Sequence, residues 1–225
     1  MKDNDVFSLT EHDDAVPLTR SKVTHIPKPE NLRVKAAGEV MRVIGVIPGS
    51  ALTEEVRMSP LVREGYAVAD SSRDIAKIVC LERHHDTGRY GVGFVQGLGL
   101  KHGAIAGSVA HDAHNYLAAG MDDESICTAL QTLADMGGGL CVVDGQNVLG
   151  KFALPVGGLM STLHAQEVSS KLGELESAAQ TLGSELAHPF MSLSFLGLSV
   201  IPELRITDGG LFSVSEWRTV PVFAR

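Results

Sequence analysis

The stretch that decides the fold runs from residue 75 to residue 95, where two apolar runs flank a charged one. IAKIVCL at residues 75–81 is short, apolar and rich in β-branched residues, which predicts a buried strand. ERHHDTGR at residues 82–89 predicts a polar connection, and GVGFV at residues 91–95 predicts a further strand. The pattern therefore indicates a buried strand that carries charged side chains at its end.

Further strands are predicted on both sides of this pair. They fall at residues 31–36, 40–47, 104–110, 140–143 and 148–154. The last two flank Asp144-Gly145, a dipeptide typical of a hairpin turn. Residues 50–73 contain turn residues without a clean period, which predicts a loop with short strands.

Two helices are predicted in the second half of the chain. The first follows the capping residues Asp122 and Asp123, has apolar residues at helical spacing and ends at the glycines of residues 137–139. The second covers about residues 165–182, with Ser161 or Thr162 as its cap. The apolar segment 189–212 fits a helix or a strand and is broken by Pro202 and by a turn at Asp208-Gly209-Gly210.

Two helices among about eight strands predict an α+β fold with mixed, largely antiparallel sheets. A TIM barrel is not expected, because such a barrel alone needs roughly 250 residues. Residues 1–30 are polar and end in a proline-containing stretch, so we expect an arm or linker there and a domain over residues 31–225.

Composition excludes several classes of protein. The chain has 225 residues and a formal net charge of -8, which argues against a nucleic-acid partner. No run approaches the roughly 18 apolar residues of a membrane span, and the N-terminus is acidic where a secretory signal is basic. We therefore expect a cytoplasmic location without membrane association. Cys80, Cys127 and Cys141 are few and scattered, which predicts reduced core residues.

The densest polar cluster is ERHHDTGR at residues 82–89. Imidazoles and carboxylates supply both metal ligands and general acids or bases. Adjacent side chains of a strand diverge, so at most one of His84 and His85 can face a given site. The alternative is a solvated strand end held by salt bridges.

A second cluster, HDAHN at residues 111–115, follows small apolar residues. His111 and His114 would point apart in a strand but can converge in a turn, where Asp112 or Asn115 could fix a tautomer. The alternative is a turn in which Asp112 and Asn115 bond local backbone. By spacing alone this is a weak indication of a metal site.

No other short motif in the sequence indicates a particular function. The sequence contains no phosphate-binding GxxxxGK loop, no GxSxG and no HExxH, and its glycines at 91–97 miss the GxGxxG spacing. These glycines are expected to allow close packing of strands and turns. Met191 and Phe195 are expected in the core.

Three long stretches resemble a known family. They are IVCLERHHDTGRYGVGFVQGLGLKHGAIAGSVAHDAHN at residues 78–115, MGGGLCVVDGQNVLGKFALPVGGLMS at 136–161 and HPFMSLSFLGLSVIPELRITDGGL at 188–211. Together they closely resemble the C-terminal domain of bacterial and archaeal adenine deaminases, over about residues 31–211. The resemblance implies an amidohydrolase-superfamily hydrolase of purine metabolism that converts adenine to hypoxanthine and ammonia.

The resemblance also implies what lies outside this chain. In that superfamily a divalent metal pair, manganese or iron, is bound by a (β/α)8 barrel whose first strand carries His-x-His, and no His-x-His occurs here. The expected arrangement is a supporting domain, inactive without a barrel in cis or in trans, in an enzyme whose substrate is adenine. A homo-oligomer is also expected. No metal ligand is assigned to this chain.

The two polar clusters are expected to meet over the barrel mouth, where they would help close the site or move protons. The residues expected to act in catalysis are His84, His111, Asp112, His114 and Asn115, and those expected to bind substrate are Glu82, Arg83 and His85. Two alternatives stay open. One is a non-catalytic scaffold or oligomerisation module, and the other is an independent metal-binding domain built from His84, His85, His111 and His114.

Overall fold

The computed structural model describes residues 22–224, which form an α+β fold in which no sheet closes into a barrel. Its helices are α1 (Asp123–Met136), α2 (Ala165–Thr181) and α3 (Pro189–Phe195), besides a 3-10 turn at Pro29–Leu32. Its strands are β1 (Val34–Lys35), β2 (Met41–Val46), β3 (Thr53–Met58), β4 (Leu61–Arg63), β5 (Tyr66–Val68), β6 (Ile75–Leu81), β7 (Tyr90–Gln96), β8 (Ala104–Gly107), β9 (Tyr116–Gly120), β10 (Gly139–Asp144), β11 (Asn147–Ala153), β12 (Leu204–Thr207), β13 (Gly210–Ser213) and β14 (Arg218–Thr219).

The main sheet has eight strands in the order β11-β10-β8-β9-β6-β7-β2-β3. All of its neighbouring pairs are antiparallel except β2 with β7, which are parallel. Two small antiparallel sheets, β1-β5-β4 and β12-β13-β14, complete the fold. The prediction of mixed, largely antiparallel sheets is confirmed.

Strand β6 lies in the middle of this sheet and is buried along its whole length. Because successive side chains of a strand point to opposite faces, Ile78 and Cys80 enter one apolar cluster and Val79 and Leu81 enter another. The first cluster contains residues of α2, α3, β12 and β13, and the second contains residues of α1. The sheet is therefore the middle layer of three.

Lys77 is the polar exception within β6, and it is only 4% exposed. Its Nζ donates to the carbonyl oxygen of Leu32 at 2.9 Å and forms an ion pair with Asp123, the first residue of α1. Buried charges are tolerated when they are paired and hydrogen-bonded. This pair fixes the start of α1 and the 3-10 turn against the same strand.

Helix α1 and the hairpin confirm their predictions. Asp122 caps α1 by accepting from the Ser125 backbone N–H at 2.7 Å, and Gly137 ends the helix in the left-handed conformation at φ 73°. In the hairpin, Asp144 pairs with Asn147, which leaves a two-residue turn between β10 and β11. Local capping residues therefore account for the ends of α1, and a tight turn accounts for the hairpin.

Two predicted strands are much shorter in the structure, and one strand was not predicted. Residues 31–36 form only the two-residue β1, because the Asn31 side chain accepts from the Lys28 N–H at 3.0 Å and closes a turn before it. Strand β8 stops at Gly107, where the Ser108 hydroxyl bonds instead to Gly158. Strand β9 was not predicted, since its small residues give no strand signal.

The later segments also differ in part. Helix α2 begins after His164, whose N–H donates to Glu167 at 3.2 Å, so neither Ser161 nor Thr162 is its cap. Segment 189–212 contains both α3 and strands, with the break at Pro202 as expected. Met191 is 57% exposed, so its placement in the core was wrong.

The remaining expectations concern the cysteines and the chain ends. Cys80 and Cys141 are buried free thiols, and Cys127 is half-buried. Residues 1–21 of the expected arm lie outside the described range, while Val23 is buried against the core. Between residues 22 and 224 no helix is long and apolar enough to cross a membrane.

The glycines of β7 provide a test of close packing. A Cβ on Gly91 would lie 2.1 Å from the carbonyl oxygen of Thr207, which is backbone and cannot rotate away. We expect Gly91→Ala to lower the free energy of unfolding by about 1–3 kcal/mol, measured by urea denaturation. Gly173→Ala, on the exposed face of α2 with no atom within 4 Å, is the control.

The control should be neutral or raise the free energy of unfolding by up to about 1 kcal/mol, because alanine favours a helix over glycine. Equal urea midpoints for Gly91→Ala and the unsubstituted chain would contradict the close approach of β7 to the β12–β13 turn.

Candidate functional site

The first polar cluster forms the connection between β6 and β7. These strands are antiparallel, with Leu81 opposite Tyr90, so residues 82–89 must reverse the chain at the end of the sheet. Glu82 lies inside this connection and is only 5% exposed. Its carboxylate accepts from the backbone N–H groups of His84 at 2.5 Å and His85 at 2.8 Å, and from the N–H of Thr87 at 3.1 Å and its hydroxyl at 2.9 Å. Glu82 therefore shapes the loop from within.

These bonds control the charge of Glu82. Burial alone would raise its pKa, but hydrogen bonds from Thr87, His85 and His84 outweigh burial and lower the pKa to about 2. Glu82 is therefore a carboxylate across the physiological range. Its oxygens are already engaged inside the loop, so its position favours a structural role over the substrate binding expected from the sequence.

Arg83 joins the two polar clusters. It is 4% exposed, its Nε donates to the carbonyl oxygen of His114, and its guanidinium lies 5.8 Å from the centre of the Tyr116 ring. Burial lowers the pKa of Arg83 from its usual value. A buried guanidinium bonded to the second loop holds residues 82–89 and residues 111–115 together.

His84 and His85 point in different directions, as expected for neighbours. The Nε2 of His84 lies 2.6 Å from the carbonyl oxygen of Ala113, and since a carbonyl only accepts, this nitrogen carries the proton. His85 has a side chain that is 82% exposed, with its Nδ1 3.4 Å from Glu82. Of these two histidines, His84 is the one whose ring contacts the second cluster in the described part of the chain.

His111 and His114 converge in the turn between β8 and β9. Their ring centres are 5.6 Å apart in an edge-to-face arrangement, and the His111 ring also lies 5.2 Å from that of Phe195. The turn is closed by the His114 N–H donating to the Ala110 carbonyl at 2.6 Å, with His114 at φ 50°. His111 donates its N–H to the Ser194 carbonyl at 3.0 Å, which ties the turn to α3.

The surroundings of His114 disfavour its charged form. Burial lowers the pKa of His114, and the positive potentials of His111, Arg83 and His84 lower it further against the opposing effect of Asp112. Its buried Nδ1 has no hydrogen-bond partner among residues 22–224. Neither Asp112 nor Asn115 fixes its tautomer there, contrary to one possibility raised by the sequence.

Asp112 and Asn115 face a separate cavity of about 420 Å³ beside this cluster. Asp112 is exposed, whereas Asn115 is 6% exposed and its Oδ1 has no partner in the described part of the chain. The far wall is formed by segment 197–208, including Thr207 and Asp208. Asp208 forms an ion pair with Arg89 of the first loop.

Sequence reasoning missed this far wall. Asp208 was interpreted only as part of a turn, and nothing in the sequence indicated that a segment about 90 residues further along the chain returns to the β8–β9 turn. Phe195 was expected in the core and instead lies against His111. No local signal could have shown these long-range contacts.

A second cavity of about 570 Å³ lies between α2, α3 and the β10–β11 hairpin. It is lined mainly by apolar side chains, including Leu140, Phe152 and Leu172. Met160 and Met191 lie on its lining and are 60% and 57% exposed. We call this feature the apolar groove.

The described residues do not fit a metal ion. No group of three or more His, Cys, Asp or Glu side chains between residues 22 and 224 has the arrangement to hold one. In this part of the chain His84, His85, His111 and His114 are therefore not arranged as the metal site that one alternative required.

Comparisons with known proteins identify the family of this chain. The family model for the adenine deaminase C-terminal domain matches residues 50–218, and the chain belongs to that family. It is 47% identical to an adenine deaminase of Methanothrix thermoacetophila and 45% identical to one of Oleidesulfovibrio alaskensis, in each case over 86% of this chain. It is 48% identical to adenine deaminase 2 of Carboxydothermus hydrogenoformans, again over 86% of its length. The chain spans about a third of the length of these curated relatives.

The role of Glu82 in shaping the loop can be tested by stability at two pH values. Glu82→Gln places an amide NH2 where donors converge, so we expect a loss of about 1–3 kcal/mol in the free energy of unfolding at pH 7. Because folding lowers the Glu82 pKa, its stabilisation is complete above the ordinary carboxyl pKa of about 4.3 and is lost as the pH falls towards 2. The difference between the two chains, measured by urea unfolding, should therefore shrink between pH 5 and about pH 3.

Glu174→Gln, on the exposed face of α2, is the matched control and should change the free energy of unfolding by less than about 0.5 kcal/mol. A Glu82→Gln effect that stays constant between these pH values would show that the carboxylate charge does not organise the loop.

Proposed function

We propose that this domain supports the hydrolytic deamination of adenine to hypoxanthine and ammonia, a reaction of purine metabolism, within an adenine deaminase. The observation that carries the proposal is the convergence of His84, His111 and His114 at one end of the sheet. The domain would act when joined in cis or in trans to an amidohydrolase barrel and would be inactive alone. Manganese or iron would be bound by that barrel and not by this chain.

The histidine cluster suits proton transfer. Deamination breaks the bond between the ring carbon and the exocyclic nitrogen, forms a carbon–oxygen bond with water, and requires a proton on the departing amine. Imidazoles are suited to this step because they gain and lose protons near neutral pH. Burial and positive neighbours lower the pKa of His114, which favours the neutral imidazole over the charged one.

The two loops would present these groups to a substrate held by the barrel. Arg83 and Glu82 lie beneath them and fix the backbone that carries His84 and His114. We assign proton transfer or closure of the site to His84, His111 and His114, and a positioning role to Glu82 and Arg83. The exposed Asp112 has the opposite effect on His114. Its negative charge raises the His114 pKa and partly offsets the lowering by burial and by the positive neighbours.

The decisive experiment places this chain in an assembled enzyme. Residues 31–225 replace the matching third of the Methanothrix thermoacetophila enzyme, and ammonia release from adenine is measured over a range of pH. His111→Asn and His114→Gln are each expected to lower kcat by about 10²–10⁴-fold if these groups transfer protons, with a change in the pH profile. His102→Gln, a half-exposed histidine paired with Asp144 elsewhere on the domain, is the control and should leave kcat unchanged.

Unchanged turnover in folded His111 and His114 variants would show that neither residue belongs to the active site. The unfused 225-residue chain is assayed beside the chimera, metal-free and with manganese or ferrous iron. Metal-dependent turnover by that chain would contradict the need for a barrel.

The apolar groove favours a second candidate function, an oligomerisation module. We infer that a second copy of this chain covers it, because Met160 and Met191 are exposed and lie beside an apolar concavity that could receive the same side chains from a partner. Self-complementary surfaces of this kind form two-fold dimers.

Sedimentation equilibrium tests this module directly. We expect the chain to be dimeric. The double substitution Met160→Glu with Met191→Glu should raise the dissociation constant of the dimer at least about tenfold, because charge is costly in an apolar interface. Leu52→Glu, at an exposed apolar residue that does not line the groove, is the control. A monomeric unsubstituted chain, or a dimer unaffected by the methionine substitutions, would exclude the groove as the interface.

A further inference from the structure

Arg205 of β12 is the largest fully buried side chain in the described part of the chain, with an exposure of 0%. Its guanidinium donates to four backbone carbonyl oxygens, those of Ile201 at 2.6 Å, Phe195 at 2.9 Å, and Ala51 and Pro202 at 2.7 Å each. An arginine has five N–H donors in a rigid fork. This one side chain therefore joins the end of α3, the turn after it and the β2–β3 connection.

The positive charge of Arg205 is balanced by these carbonyl dipoles. Among residues 22–224 the guanidinium forms no ion pair with a carboxylate, and burial alone lowers its pKa to about 10. Arg205 is therefore still charged at neutral pH. A buried charge is costly, and an apolar side chain often serves stability as well. A charge buried without a carboxylate favours a role in fixing geometry, and a cation is favourable at the C-terminal end of a helix.

The end of α3 that Arg205 binds also holds His111. The His111 N–H donates to the Ser194 carbonyl at 3.0 Å, and the His111 ring centre lies 5.2 Å from that of Phe195. A Cβ on Gly197 would lie 3.3 Å from the His111 carbonyl oxygen, so the backbone after α3 also passes close to this residue. Both the backbone and the ring of His111 are therefore located by the last turn of α3.

We propose that Arg205 is a positioning residue for His111. It fixes the last turn of α3, and that turn places the His111 imidazole beside His114. Arg205 is fully buried, so it acts through α3 and not by contact with a substrate. Its effect on turnover rests on the proton transfer proposed above for His111, whereas its effect on the His111 ring can be observed in this chain alone.

Nuclear magnetic resonance on the full 225-residue chain tests the placement of the ring. We expect nuclear Overhauser cross-peaks between the rings of His111 and Phe195, which are in contact. Arg205→Lys should remove or weaken them in the folded chain, because an ammonium with three donors cannot satisfy four carbonyl oxygens. A role in stability alone would lower the free energy of unfolding and leave the cross-peaks of the folded chain unchanged.

Arg42→Lys is the matched control. Arg42 is another buried arginine, and it donates to the carbonyl oxygens of Pro221 and Phe223. Its substitution should leave the cross-peaks between His111 and Phe195 as they are.

A double-mutant cycle in the chimera tests the effect on turnover. Arg205→Lys should lower kcat by at least about tenfold, because a small misplacement of an acting group is costly, with KM changed by less than about twofold. In the His111→Asn background the same substitution should change kcat by less than about twofold, since residues that act through one another are not additive. Arg42→Lys should leave kcat unchanged in both backgrounds.

Phe195→Leu is the second variant, used if Arg205→Lys fails to fold. It keeps the backbone carbonyl that Arg205 binds and removes the ring that contacts His111. It should weaken the cross-peaks between His111 and His114, whose ring centres are 5.6 Å apart, and lower kcat.

Unchanged cross-peaks in folded Arg205→Lys, or losses of kcat that multiply in the double variant, would overturn the proposal. Unchanged cross-peaks and kcat in Phe195→Leu would overturn it as well. Weakened cross-peaks together with full turnover in His111→Asn would contradict proton transfer by His111 and still support its placement by Arg205. The two proposals can therefore fail separately.

Discussion

The rest of the structure depends on β6 being buried on both of its faces. A strand in this position must be apolar on both faces, and its single charge, Lys77, is satisfied by Leu32 and Asp123. Because α1 packs on one face and α2, α3 and the β12–β13 hairpin on the other, β6 is held in place from both sides. Packing in the core, and not contacts at the surface, therefore positions the loop that follows β6.

Two buried charged side chains fix the geometry of the loops at this end of β6. Glu82 folds the 82–89 loop around its carboxylate, and Arg83 bonds to the backbone of the β8–β9 turn. Removing one partner of a buried charged group is costly because the other is left unsatisfied. The histidines above them can therefore keep their geometry although His84 and His85 are exposed. Rigid support beneath exposed imidazoles is what acid–base chemistry requires.

Local physical chemistry explains which features could be predicted from the sequence. Strand β6, helix α1 and the β10–β11 hairpin follow from apolar periodicity, an aspartate cap and a two-residue turn. Strand β9 could not be predicted, because Ala118, Ala119 and Gly120 have little preference for strands and form one by pairing with β8 and β6. The residue types of both polar clusters were visible in the sequence. Their contact through Arg83, and the return of Asp208 to the same end of the sheet, depend on tertiary packing.

The β8–β9 turn separates two chemical environments within two consecutive residues. The His114 ring lies beside the other imidazoles, where burial and positive neighbours lower its pKa, while Asn115 lines a cavity together with Asp112, Ser199 and Asp208. Each carries a buried polar atom without a partner in the described structure, and such atoms are rare in folded proteins. Because β8 and β9 are buried along their whole length, the core holds this turn in place, and its two unsatisfied atoms lie where the buried sheet meets the exposed loops.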